Sequence, residues 1–111
     1  PGAARPHIVL GDRFGSAAAS AIVERVEAAF AAAGFRVARN MPFAGALITQ
    51  HYGRPSRHQH ALQVEIDRAL YMDERTLEPN MNFNRFKAQL NAVIAEIAEI
   101  GLPEDQKLAA E

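Results

Sequence analysis

Apolar residues fall first into a short run, His7-Ile8-Val9-Leu10, that closes on Gly11-Asp12. A run of this length before a glycine reads as a buried strand, with a loop over residues 11–15. Over residues 16–33 the spacing changes. Ile22, Val26, Ala29, Phe30 and Ala33 recur at three- and four-residue intervals, which predicts a helix with one buried stripe. Ser16 is placed to cap its start and Gly34 to end it. Residues 35–39 then alternate apolar and polar, the period of a strand. Strand, helix and strand with short joints make a βαβ unit, which favours a parallel pair and a right-handed crossover.

The middle of the chain is less regular. Pro42 and Gly45 mark residues 40–45 as loop, residues 46–50 suit either a short strand or a helical turn, and residues 52–59 form a polar stretch rich in Arg and His. A third strand is predicted over residues 61–66. Leu62, Val64 and Ile66 take one face, and Ala61, Gln63 and Glu65 take the other. Residues 73–82 read as turns. A second long helix is expected over residues 83–100, with Phe83, Phe86, Leu90, Val93, Ile94 and Ile97 as its stripe. Gly101 and Pro103 stop it, ahead of a charged tail. The pattern predicts an α/β fold in one domain covering residues 1–111. Three strands are few for a sheet, and an open edge would leave apolar strand residues in water. Pairing with further polypeptide, pairing with a second copy of the chain as a homo-oligomer, or a rearranged edge is therefore expected.

Composition narrows the functional classes. The 111 residues are 49% hydrophobic and 23% charged with a net charge of −1, an ordinary globular balance without the basic face that nucleic acid requires. There is no cysteine, which removes disulfides, thiolate metal sites and cysteine nucleophiles. That usage fits a reducing, cytoplasmic setting. No apolar stretch is long enough to span a bilayer, and no signal peptide is visible behind Pro1.

Candidate chemistry concentrates between Thr49 and Asp73. Glu65 stands within an apolar run, where a carboxylate suits general acid–base work; the alternative is an edge-strand glutamate paired with Arg68 or Arg39. His51, His58 and His60 are either metal ligands or solvated loop histidines, and no established ligand spacing supports the first. Arg39 and Asn40 end the second strand, where open α/β sheets bind ligands and a guanidinium clamps carboxylates; a surface arginine beside a turn asparagine fits equally well. Gly11-Asp12-Arg13-Phe14-Gly15 is either an anion-binding joint or a tight strand–helix connection.

Several segments in order carry a family resemblance: Leu10-Gly11-Asp12-Arg13-Phe14-Gly15, Val37-Ala38-Arg39-Asn40, Pro42-Phe43-Ala44-Gly45, His51-Tyr52-Gly53-Arg54-Pro55 and the block from His60 to Glu74. Together they resemble the C-terminal portion of the N-formylglutamate amidohydrolase (deformylase) family. The resemblance implies part of a mixed, mostly parallel sheet flanked by helices, like that of zinc carboxypeptidases, with the N-terminal part missing. It implies zinc as cofactor, with its ligands upstream of Pro1 and none among these residues. It implies Glu65 as the general base, with Arg39, Asn40 and Arg54 holding substrate carboxylates and His51 and Tyr52 lining the pocket. The implied substrate is a small acidic N-acyl amino acid. The implied reaction is hydrolysis of N-formyl-L-glutamate to formate and glutamate in histidine degradation, with these residues inactive alone. Met41 and Ala46 depart from the family's pattern in the presumed substrate loop, which leaves open a related N-acyl-amino-acid amidohydrolase or carboxypeptidase. A non-catalytic binding or assembly module of the same fold is the remaining alternative.

Overall fold

The structure, a computed structural model, describes residues 5–100. Strand β1 (Ile8–Gly11), helix α1 (Ser20–Ala32) and strand β2 (Val37–Arg39) form the expected βαβ unit. The two strands run parallel, with Ile8 opposite Val37 and Leu10 opposite Arg39. A third strand, β3 (Gln63–Ile66), lies antiparallel along the other side of β1, with Ile8 opposite Ile66 and Val9 opposite Glu65. The sheet order is therefore β2-β1-β3. It is a mixed α/β sheet, divided evenly between one parallel and one antiparallel pair.

Helix α1 and a second long helix cover one face of this sheet. Residues facing each other on adjacent strands share a side, so Ile8, Leu10, Val37 and Ile66 all point towards the helices. There they meet Val26, Ala29 and Phe30 of α1 and the buried Phe86 and Val93. Phe35 closes the layer, with ring centroids 6.1 Å from Phe30 and 5.8 Å from Phe86 in edge-to-face contacts. Gln89 Nε2 donates to the Ala33 carbonyl at 2.8 Å, occupying an acceptor that the end of α1 leaves open. Gly34 follows at φ +100°, the left-handed stop expected of it.

Helix α2 (Leu47–Tyr52) resolves the ambiguous segment after Gly45 as helical. The predicted turn region holds a small hairpin of β4 (Met72–Asp73) and β5 (Glu78–Pro79), and α3 (Phe83–Ala98) follows it. The stop at Gly101 and Pro103 and the tail beyond lie outside the described residues.

Three expectations are corrected. Ser16 does not cap α1: its hydroxyl donates to the Arg13 carbonyl at 2.8 Å, and the helix begins four residues later behind Ala19. Left-handed Arg13 and Phe14, at φ 53° and 56°, lengthen the connection. Ile94 is 54% exposed, because it sits about 100° around the helix from buried Val93, and the true stripe is Phe86, Leu90, Val93 and Ile97. Finally, β3 starts at Gln63, two residues later than the predicted strand.

Candidate active site

The opposite face of the sheet carries no long helix among the described residues. Val9 and Gly11 of β1, Ala38 of β2, and Gln63 and Glu65 of β3 share it. The segment before α2 folds across its end. Arg13 N–H donates to the Ala44 carbonyl at 2.7 Å. The approach over Gly11 is so close that a Cβ there would lie 2.6 Å from the Gly45 nitrogen.

Glu65 projects from this face beside that segment. Gln63, two residues earlier on the same side, donates from Nε2 to Glu65 Oε1 at 2.8 Å. Its Oε1 accepts the backbone N–H of Ala46, just ahead of α2, at 2.9 Å. Among the described residues no donor meets Glu65 Oε2. The carboxylate opens into a cleft of ≈ 400 Å³ walled by Val9, Pro42 and Phe43, with Arg5, Asp67, Arg68 and Glu74 around it. The charges at its edge are loosely paired: Arg5 stands 3.6 Å from Asp67 and Arg68 stands 3.4 Å from Glu74.

The substrate-binding candidates lie elsewhere. Arg39 shares its register with Leu10 and so points to the helix side, where its Nε donates to Glu27 of α1 at 2.8 Å. Asn40 is buried at φ 63°, a left-handed geometry that asparagine tolerates better than most residues. Its Oδ1 accepts from the N–H groups of Asp12 at 3.1 Å and Phe14 at 3.3 Å, and its Nδ2 donates to Asp12 Oδ1 at 2.8 Å. That amide fastens the end of β2 to the loop after β1. His51 and Tyr52 are exposed on α2, their rings in edge contact at 4.7 Å. Arg54 donates back to the carbonyls of Gln50 at 3.1 Å and Gly53 at 2.7 Å. None of these five residues lines the Glu65 cleft.

Two histidines serve the backbone. His60 Nδ1 accepts the Ala19 N–H ahead of α1 at 3.0 Å, and His7 Nδ1 accepts the Arg36 N–H at 2.8 Å. Each must be unprotonated at that nitrogen to accept. Partial burial, aided by neighbouring Arg36 and opposed by Asp67, holds the His7 imidazole below its usual value of 6.5. Among the described residues no three His, Cys, Asp or Glu side chains converge to hold a metal ion. The zinc that the resemblance implies therefore does not fit this set of side chains. Also among the described residues, no helix is long and apolar enough to cross a membrane.

Two features of the cleft escaped the sequence reading: Gln63 as the partner of Glu65, and Pro42 and Phe43 as its walls. A signal for Gln63 was present, since residues two apart on a strand share a face. The walls come from segments distant in sequence, and no local spacing reports them.

Comparison with known proteins bears on the family and the fold. The sequence profile of the N-formylglutamate amidohydrolase family matches residues 1–72. The N-formylglutamate deformylase of Pseudomonas aeruginosa is 42% identical over 71 residues, 63% of this chain and 27% of that protein. The Pseudomonas putida deformylase is 37% identical over 70 residues, 62% of this chain and 26% of its own length. The crystal structure of N-formylglutamate amidohydrolase from Ralstonia eutropha JMP134 superposes with a TM-score of 0.75 at 34% identity, covering 88% of this chain and 34% of that one. The chain thus spans about a quarter of the curated relatives it matches and about a third of the solved one. With more than half its length inside the family profile, the chain belongs to the N-formylglutamate amidohydrolase family.

Proposed function

We propose that this chain supplies the general base and one wall of a site that hydrolyses N-formyl-L-glutamate to formate and glutamate. The carrying observation is Glu65: a strand carboxylate facing a cleft, held on one oxygen by Gln63 and open on the other. Oε2 takes a proton from water as the water oxygen attacks the formyl carbon. The carbon–nitrogen bond then breaks, and the same carboxyl returns the proton to the departing amine nitrogen. Val9, Pro42 and Phe43 keep bulk water from that side of the reacting carbon. Arg68, more than half exposed beside Glu65, takes a substrate carboxylate, whereas Arg39 lies on the other face and pairs with Glu27.

In this reading the zinc that the resemblance implies would be held by polypeptide outside these residues and would supply Lewis-acid chemistry. The reaction belongs to histidine degradation in the cytoplasm. The test is a chimera in which the 71-residue segment of the Pseudomonas aeruginosa deformylase is replaced by the matching residues of this chain. Formate release is expected, and Glu65→Gln should lower it by about 10²–10⁴-fold with substrate affinity retained. Equal formate release from parent and variant would rule out the base role.

A further inference from the structure

We infer that Gln63 is a positioning residue that sets the aim of the Glu65 carboxylate against the segment crossing Gly11; this rests on the reading of Glu65 as the base. The geometry decides which way round the Gln63 amide lies. The Ala46 group facing Gln63 is its backbone N–H, which can only donate, so the atom 2.9 Å from it must be the amide oxygen. The amide nitrogen then faces Glu65 at 2.8 Å, and the carboxylate must be the acceptor. A single planar group thereby joins the residue ahead of α2 to the carboxylate on β3. Its far end cannot rotate without losing both bonds.

The same segment also walls the cleft. Pro42 and Phe43 line it, Ala44 accepts from Arg13, and Gly45 lies against Gly11. A ligand that presses on Phe43 bears on a strip held at Ala44 by Arg13 and at Ala46 by Gln63. The position of that strip is therefore transmitted to Glu65 through one amide. This makes Gln63 the element that registers substrate against base, a role its neighbour Val64 on the helix side of β3 cannot serve.

The inference is tested on the 111-residue chain by following the Gln63 side-chain amide protons by NMR as pH falls from neutral. The other ionisable groups around Glu65 are Arg5, His7, Asp67, Arg68 and Glu74, so each carboxylate is removed in turn. The Gln63 amide shift should titrate in the parent, in Asp67→Asn and in Glu74→Gln, and should become flat in Glu65→Gln. The Ala46 amide should exchange with solvent about tenfold faster in Gln63→Leu, the effect of one lost hydrogen bond. A shift that is flat in the parent, or that persists in Glu65→Gln, would overturn the inference. Glu65→Gln changes no shape, so its readout stands even if Gln63→Leu fails to fold. The outcome does not depend on turnover: a coupled Gln63 in a chimera indifferent to Glu65→Gln would reject the base role alone.

Discussion

His7 shows how one side chain ties stability to acidity. Its Nδ1 accepts the Arg36 N–H while its own backbone N–H donates to the Arg36 carbonyl at 3.0 Å, so the start of β1 and the residue ahead of β2 are clasped twice. Protonation at Nδ1 removes one clasp. Because the folded imidazole titrates below 6.5, the neutral form favours folding, and the unfolded chain binds the proton first. The stabilisation is complete above pH 6.5 and is lost as pH falls through the lower folded value. Urea midpoints measured from pH 7.5 downwards should therefore fall, and His7→Asn, which accepts without titrating, should flatten the decline just below pH 6.5. The sequence showed His7 only as the head of an apolar run. Its partner is 29 positions away, and such a partner becomes visible only when strands are laid side by side. Asn40 tells the same story: its place at a strand end was plain, its three bonds to the loop of Asp12 and Phe14 were not.

Periodicity carried most of the element level. The βαβ unit, the stripe on α1, the two faces of β3 and the position of Glu65 all follow from spacings of two or of three and four residues. What spacing could not give is which face of β2 holds the ligand side. Alternation alone leaves Arg39 and Ala38 interchangeable until the register with β1 is known, and that register sends Arg39 to Glu27. The β4–β5 hairpin was likewise hidden, because two-residue strands leave no pattern to read. The faces make a testable distinction. In the chimera, Arg39→Ala should leave the Michaelis constant unchanged and cost less than about 1 kcal/mol of stability, as for an exposed ion pair. Arg68→Ala should raise the Michaelis constant about tenfold, the loss of one charge-assisted hydrogen bond. Steady-state kinetics and urea unfolding of the two variants decide between the faces.

The described residues form a sheet covered by long helices on one side. Helices α1 and α3 cover the Ile8–Leu10 face, whereas the Glu65 face bears the cleft and the strip leading into α2. Met41, Phe43, Leu47 and Ile48 on that strip are 68%, 52%, 75% and 70% exposed, a concentration of apolar side chains that a lone domain seldom shows to water. The chain on its own should bind an apolar dye there. Replacing Leu47 and Ile48 by serine should reduce that fluorescence while shifting unfolding by no more than about 0.5 kcal/mol. Gly11 links this surface to the chemistry. Exchanging a glycine for alanine ordinarily stiffens the unfolded chain and makes a protein harder to melt. Here the extra carbon would shove the Gly45 nitrogen sideways, and the jolt would travel through Ala46 and the Gln63 amide to the carboxylate. A change meant to harden this protein would thus turn the Glu65 carboxylate aside, and the bare hydrogens on one α-carbon are what keep stability and aim apart.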